Sequence, residues 1–268
     1  MVTAAVLITL FLWWFSTGLI LFAVSRAGRL GPQGYEAATV LSVPILALAV
    51  FGVVWSSREA TLAGVSIGFV SALGVWGWIE LAFLCGVVTG PDRRPCPTGV
   101  RGIERFGRAL RAILHHEVAL LIGFLALFIL TRGAENQVGL YAYAVLFGAR
   151  ISAKLNLFLG VPNINSEFLP PPVRHLDSYF NRASMNRFFP VAVTLLTLAT
   201  GCWIERAIAH EADQIARTGY VLLATLTALA LIEHWFMVLR LPDAALWRWI
   251  IRDKNSGQTP RHMRPTDG

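Results

Sequence analysis

Residues 148–170 read GARISAKLNLFLGVPNINSEFLP, and this stretch decides how the chain folds. Its first half is apolar enough for a membrane-spanning helix, yet it contains Arg150, Lys154 and Asn156. Its second half is a polar loop punctuated by prolines. A charged side chain near the middle of a membrane costs about 2.5–3.5 kcal/mol on insertion scales, so it indicates a partner or a function. The rest of the chain must supply the groups that face these charges.

The composition is that of a membrane protein. Of 268 residues, 55% are apolar and 15% are charged, whereas average soluble chains carry about 25% charged residues. A helix needs roughly 17–25 residues to cross the hydrocarbon layer. Seven segments approach this length: residues 3–25, 38–54, 60–84, 113–130, 138–159, 188–204 and 220–241. The sequence therefore predicts an all-α polytopic membrane protein with about seven transmembrane helices, forming one domain over residues 1–254, and a disordered tail over residues 255–268.

Basic residues indicate the orientation. With seven spans, seventeen lysines and arginines fall on the side that holds the C-terminus and four on the side that holds the N-terminus. Loops rich in these residues stay in the cytoplasm, so we expect a periplasmic N-terminus and a cytoplasmic C-terminus. The net charge of +7 follows from the same rule and requires no nucleic-acid partner. The first segment lacks a basic region and a clean cleavage pattern, so we expect a retained helix rather than a signal peptide.

Three cytoplasmic segments have the spacing of amphipathic helices. Residues 103–113 place arginines between apolar residues, which predicts a basic helix on the inner leaflet that contacts lipids before turning into the fourth span. That helix serves either as a topology anchor or as a partner site. Val173, Leu176 and Phe180 follow three prolines and predict a second interfacial helix. Residues 244–252 predict a third.

Several ionisable residues lie within the predicted spans. At 1.5 Å per residue, Arg150 and Glu233 lie about 13 and 12 Å inside their cytoplasmic helix ends. Equal depth predicts that these two side chains pair. Lys154 is nearer the surface and can reach lipid phosphate, Glu80 or Glu117. Such pairs either lock helices together or belong to a functional site, and the sequence leaves both alternatives open.

The sequence does not favour a metal site or a familiar catalytic centre. Di-iron carboxylate bundles use Glu-x-x-His pairs, and the chain contains none. The adjacent Glu233 and His234 point about 100° apart on a helix, so they do not readily face one site. A single histidine as ligand of a chlorin magnesium remains an alternative. Phosphate loops, GxSxG and nucleotide fingerprints are absent from the sequence, and we predict no catalytic residues.

Residues 148–163, together with EFLP at 167–170 and LDSYF at 176–180, resemble the PuhE family of photosynthetic complex assembly proteins from phototrophic bacteria. The resemblance implies a multi-pass protein of the bacterial inner (intracytoplasmic) membrane. It implies a role in assembling the reaction centre and light-harvesting antenna, or in supplying bacteriochlorophyll to them. Reaction-centre or antenna polypeptides are the implied partners, and bacteriochlorophyll or a precursor is a candidate ligand.

The residue pattern and the resemblance converge on a polar rim at the cytoplasmic interface, above Arg150. The predicted ligand- or partner-binding residues are Arg150, Lys154, Asn156, Asn163, Asn165, Glu167, Glu233 and His234. The first functional hypothesis is a non-enzymatic assembly factor. The alternative is a membrane enzyme, or enzyme subunit, of bacteriochlorophyll biosynthesis that uses the region of Arg150, Glu233 and His234.

Overall fold

A computed structural model describes residues 2–210 and 212–239, and these residues form eight α-helices, two short 3₁₀ helices and no strand. The α-helices are α1 (Val2–Arg29), α2 (Pro32–Leu41), α3 (Val43–Ser57), α4 (Leu62–Leu84), α5 (Gly102–Leu130), α6 (Val138–Leu159), α7 (Phe189–Ile208) and α8 (Gln214–Phe236), and the 3₁₀ helices are Ser166–Phe168 and Pro171–Tyr179. With α2 and α3 taken together, seven units are long and apolar enough to cross a membrane. The predicted all-α, multi-pass fold is therefore confirmed. The helix predicted at 244–252 and the tail at 255–268 lie outside the described residues.

The second membrane segment is bent at its middle. Helix α2 ends at Leu41 and α3 begins at Val43, with Ser42 between them. Pro44 has no N–H group, and its ring crowds the carbonyl of Val40 one turn earlier, which breaks the helix at this point. The segment extends from Pro32 to Ser57 and is longer than its apolar run indicated.

Helix α5 is one continuous helix of 29 residues, about 43 Å long at 1.5 Å per residue. The prediction that residues 103–113 lie on the inner leaflet and then turn is therefore wrong. Arg105 donates to the carbonyl oxygens of Phe158 at 3.3 Å and Tyr179 at 2.6 Å, and its guanidinium stacks over the Phe158 ring. These contacts hold the first turns of α5 against the protein instead of the lipid surface.

The second interfacial helix exists, but as a 3₁₀ helix over Pro171–Tyr179. A 3₁₀ helix has three residues per turn, so positions three apart share a face. Val173, Leu176 and Tyr179 are accordingly buried, and they pack against Phe83 of α4. Phe180, which the α-helical spacing had placed on the same face, directly follows the 3₁₀ helix, and it is partly buried and packs against the same cluster.

The helices alternate in direction, and α4 and α8 contribute many of the buried core residues. The end of the bundle where α4, α6 and α8 finish and α5 and α7 begin is called the basic end. At the opposite end, Asn136 joins two hairpins by donating from its side chain to the carbonyl of Ser56 at 2.9 Å. In the core between them, the Tyr143 hydroxyl donates to the carbonyl of Leu120 at 3.1 Å. The fold thus presents the ends of three helices to one polar region.

Candidate functional site

Five ionisable side chains meet inside the half of the bundle nearest the basic end. Arg150 and Lys154 lie one turn apart on α6 and therefore share a face. Glu80 approaches from α4, and the neighbours His116 and Glu117 approach from α5. These five residues are called the polar cluster. The residue spacing on α6, together with the packing of α4 and α5 against it, produces the arrangement.

Short contacts join the whole polar cluster. The guanidinium of Arg150 donates to Glu80 Oε2 at 2.7 Å. Lys154 Nζ lies 2.5 Å from Glu117 Oε1 and 2.7 Å from His116 Nδ1. His116 Nε2 lies 3.4 Å from Glu80 Oε1, close enough for an electrostatic contact but without hydrogen-bond geometry. The histidine therefore connects the two ion pairs.

The charges of the polar cluster balance. An ammonium group only donates hydrogen bonds, so His116 Nδ1 accepts from Lys154 and the neutral ring carries its proton on Nε2. Two cations then oppose two carboxylates. Glu80 and His116 are buried, with exposed fractions of 4% and 0%. Pairing offsets much of the free energy needed to take these charges out of water.

The prediction that Arg150 pairs with Glu233 is wrong, because Arg150 binds Glu80. Counting residues from a helix end gives the depth of a side chain but not the direction in which it points. The face of α6 that carries Arg150 turns toward α4. Of the three alternatives left open for Lys154, namely lipid phosphate, Glu80 and Glu117, the structure shows the contact with Glu117.

A cavity of about 430 Å³ lies beside the polar cluster. Helices α1, α6 and α8 form its walls, and residues 163–169, called the roof segment, cover it at the basic end. Aromatic and aliphatic side chains dominate the lining, and Arg150, Lys154 and Glu233 are its ionisable members. A second cavity of about 300 Å³ adjoins it and shares Trp13, Arg150 and Glu233. Cavities of this size and character are typical of small-molecule and cofactor sites.

Glu233 is exposed at the wall of both cavities. Its Oε1 accepts a hydrogen bond from the indole Nε1 of Trp13 at 3.0 Å. Within residues 2–210 and 212–239, Glu233 has no cation within 4 Å. An intramembrane carboxylate without a cationic partner indicates a ligand or functional role.

His234 follows Glu233 and also lines the smaller cavity, but its ring makes hydrogen bonds within the protein. Its Nδ1 lies 2.7 Å from the carbonyl oxygen of Ala230, which can only accept, so Nδ1 carries the proton. Its Nε2 then accepts from the hydroxyl of Ser152 at 2.9 Å. Only 1% of the residue is exposed. Both ring nitrogens of His234 are therefore satisfied by the protein.

Two asparagines of the predicted rim satisfy helix ends. Asn156 is buried and accepts from Asn186, whose Oδ1 accepts the backbone N–H groups of Phe188 and Phe189 at the start of α7. The side chain of Asn163 donates to the carbonyl of Phe236, the last residue of α8, and to the carbonyl of Leu239 just beyond it. Both asparagines position the walls of the site rather than present free groups to it.

The structure separates the remaining rim residues. Asn165 is exposed and lines the larger cavity as part of the roof segment. Glu167 is exposed on the 3₁₀ helix Ser166–Phe168 and is not among the residues lining either cavity. The structure therefore brings Arg150, Lys154, Asn163, Asn165 and Glu233 to one cavity and leaves Glu167 outside it.

The loop after α4 supports the second 3₁₀ helix, which continues the wall of the larger cavity. The Tyr179 hydroxyl donates to the carbonyl of Arg94 at 3.2 Å, and the backbone N–H of Cys96 donates to Ser178 Oγ at 2.8 Å. Hydrogen bonds from Arg94 hold the pKa of Asp92 below its usual value. Burial raises the pKa of Tyr179. These interactions tie the two loops together at the basic end.

Sequence reasoning missed four residues that shape the site: His116 as the bridge of the polar cluster, Ser152 as the partner of His234, Trp13 as the donor to Glu233, and Asn186 as the cap of α7. A polar residue two or three positions before a helix start is a capping signal, so Asn186 was detectable. The other three act across distant segments and leave no local pattern. In the part of the chain that the structure describes, no three His, Cys, Asp or Glu side chains are placed to hold a metal ion.

This fold and site define a multi-pass helical membrane protein with a polar cluster and an adjoining cavity in one half of the bundle. The chain belongs to the family described as "Protein of unknown function (DUF3623)", whose model matches residues 1–258. It is 49% identical over 245 residues to a protein of Rhodobacter capsulatus, and the match covers 91% of this chain and 89% of that protein. The relative is named "Uncharacterized 30.4 kDa protein in puhA 5'region". No solved structure matches the chain.

Proposed function

We propose that this protein is an assembly factor of the photosynthetic apparatus. It assists assembly of the reaction centre and its antenna, or supplies bacteriochlorophyll to them, through the cavity beside Arg150. One observation carries the proposal: the segment that resembles the PuhE family and the cavity overlap. Residues 148–180 provide much of the cavity wall and its roof segment. A cavity between membrane-spanning helices suits a ligand that is itself dissolved in the membrane.

The similar protein from Rhodobacter capsulatus supports the same proposal. Its name locates it in the 5' region of puhA, and the shared gene prefix agrees with the PuhE resemblance. At 49% identity across most of both chains, the two proteins have the same fold. A role linked to the puhA gene region, inferred for the relative from its name, is therefore proposed for this protein as well.

The proposed location is the bacterial inner membrane, with the basic end in the cytoplasm and the N-terminus in the periplasm. The distribution of arginines supports this orientation. In the orientation proposed, the polar cluster and the cavity lie in the cytoplasmic half of the membrane. Reporter fusions after Arg29 and after Arg132 test it, because only the second should report a periplasmic position.

The alternative is a membrane enzyme, or enzyme subunit, of bacteriochlorophyll biosynthesis. The exposed carboxylate of Glu233 beside Arg150 favours it, because an acid and a cation at a cavity can move protons on a bound substrate. The two functions differ in what accumulates when the protein is lost.

The test is deletion of the gene in its phototrophic host, followed by pigment extraction and whole-cell absorption spectra. An assembly factor leaves reduced reaction-centre and antenna bands, with no single pigment precursor dominating. An enzyme leaves one specific precursor in excess. Normal complexes and normal pigment in the deletion strain contradict both functions.

A further inference from the structure

The wall of the cavity contains an acid that residues 2–210 and 212–239 leave incompletely satisfied. Glu233 is exposed at membrane depth, and its Oε1 is held by Trp13. Its Oε2 has no partner among the described residues. A carboxylate in this position is unfavourable in lipid unless a bound group compensates it.

Two unsatisfied donors lie in the same region. The Nε of Arg150 and the indole Nε1 of Trp76 are buried and have no acceptor within the described part of the chain. Both residues line the smaller cavity, which also includes Glu233. Buried donors without acceptors are rare in native proteins, so they point to a group that supplies oxygen acceptors.

The lining otherwise fits a flat apolar body. Four aromatic residues of the larger cavity come from four different elements: Trp13 of α1, Phe83 of α4, Phe158 of α6 and Phe236 of α8. The ligand that matches all three observations has an aromatic body, peripheral carbonyl oxygens and a centre that binds a carboxylate oxygen. A magnesium tetrapyrrole has these properties, because Mg²⁺ is a hard cation that prefers oxygen ligands.

We infer that Glu233 is the axial ligand for the magnesium of a tetrapyrrole bound in this cavity, with Trp13 orienting the carboxylate. Arg150 and Trp76 donate to oxygen atoms at the ring edge, and the charge of Arg150 offsets that of the ligating carboxylate. His234 is not the ligand, because its Nε2 lone pair is taken by Ser152. This inference rests on the proposed function and names the class of ligand and the residue that binds it.

The experiment compares two probes, bacteriochlorophyllide a and its metal-free counterpart bacteriopheophorbide a. Each is titrated into the full-length protein in detergent, and binding is followed by tryptophan quenching and by the Qx absorption band, which responds to magnesium coordination. The wild-type protein should prefer the magnesium form by about tenfold, the ratio that an interaction of about 1.4 kcal/mol produces. Glu233→Leu, which offers no ligand atom, should abolish that preference while leaving the affinity for the metal-free probe unchanged.

Two further variants complete the design. His234→Gln should keep the preference for magnesium, and Glu233→His should restore it by supplying a nitrogen ligand. Leucine at position 233 fills a similar volume but cannot ligate magnesium, whereas the amide oxygen of glutamine could. Absence of a magnesium preference in the wild type, its persistence in Glu233→Leu, or its loss in His234→Gln overturns the inference. The deletion phenotype does not depend on this result and tests the proposed function separately.

Discussion

The guanidinium of Arg150 on α6 lies 2.7 Å from the carboxylate of Glu80 on α4, and both residues line the smaller cavity. Glu80 is almost fully enclosed, whereas the side chain of Arg150 keeps 30% of its surface exposed. Arg150 can therefore balance the charge of Glu80 and still contact a ligand in the cavity. Glu233, its expected partner, lines the same cavity and accepts a hydrogen bond from Trp13 instead.

Arg150→Ala should lower the free energy of unfolding by about 3 kcal/mol, because it leaves the buried Glu80 carboxylate without its cation. Glu80→Ala should cost a similar amount. The double variant should lose less than the sum, with a coupling energy of about 1–3 kcal/mol. Unfolding in mixed detergent micelles, followed by tryptophan fluorescence, measures all three.

Arg58→Ala is the matched control for this cycle. Arg58 is exposed after α3, at the opposite end of the bundle, so its removal should change stability by less than about 0.5 kcal/mol. Additive losses from Arg150→Ala and Glu80→Ala would show that the contact between them does not stabilise the fold.

Asn186→Ala should destabilise the protein by more than an ordinary cap removal. It removes two hydrogen bonds to the first N–H groups of α7 and also leaves the buried Asn156 Oδ1 without its donor. We expect a loss of about 2–3 kcal/mol, the sum of a cap and an unsatisfied buried acceptor. Asp213→Ala, which removes only the exposed cap of α8, should cost about 1 kcal/mol. Equal losses for the two variants would contradict the bridging role of Asn186.

Gly90→Ala should disrupt the packing of the loop after α4 on α5. A Cβ at this position would overlap the backbone carbonyl of Arg111, which cannot move aside within a helix. We expect a loss of about 3 kcal/mol in the free energy of unfolding. Gly107→Ala is the control, because nothing lies near its Cβ position and alanine favours a helix by about 0.5–1 kcal/mol. A Gly90→Ala protein as stable as Gly107→Ala would contradict the close approach.

His175 should make the 3₁₀ helix Pro171–Tyr179 sensitive to acid. Burial, followed by the nearby charge of Arg93, lowers the pKa of His175 below its usual value of 6.5. The unfolded segment then binds a proton more readily than the folded one, so the stabilising contribution is complete above pH 6.5 and declines as the pH falls through the lowered pKa. Amide exchange of residues 171–179 should be less protected at pH 5.5 than at pH 7.5, after correction for intrinsic rates.

His175→Gln provides the comparison for that experiment. Glutamine does not titrate, so protection of the same segment should become nearly independent of pH in this range. An unchanged pH dependence in His175→Gln would assign the effect to another group.

The membrane fold was predictable because bilayer thickness imposes a length on each apolar segment. Helix α6 illustrates this: the span expected at 138–159 is also the helix observed. Depth limited the partners of Lys154 to lipid phosphate, Glu80 or Glu117, and the packed structure selects Glu117. The continuous helix α5 was not predictable, because the contacts of Arg105 that hold it upright come from residues 158 and 179.

The sequence did not reveal which face of each helix packs against which neighbouring helix. Arg150 and Glu233 share a depth, yet Arg150 turns to Glu80 because α4 lies against that face of α6. Asn156 and Asn163 were expected to face a ligand, but each satisfies the end of a helix far along the chain. Polar residues near a helix end serve neighbouring backbone groups as readily as ligands, and only the packed structure distinguishes the two uses.

Purification of the protein from its own phototrophic membranes in a mild detergent tests the proposed role most directly. The absorption spectrum, pigment extraction and the identity of co-purifying polypeptides are measured together on the wild type and on Glu233→Leu. We predict stoichiometric bacteriochlorophyll or a precursor in the wild-type protein, depleted in Glu233→Leu, with reaction-centre or antenna polypeptides in the same fraction. A colourless protein that carries none of these polypeptides would contradict a role in assembling the photosynthetic apparatus.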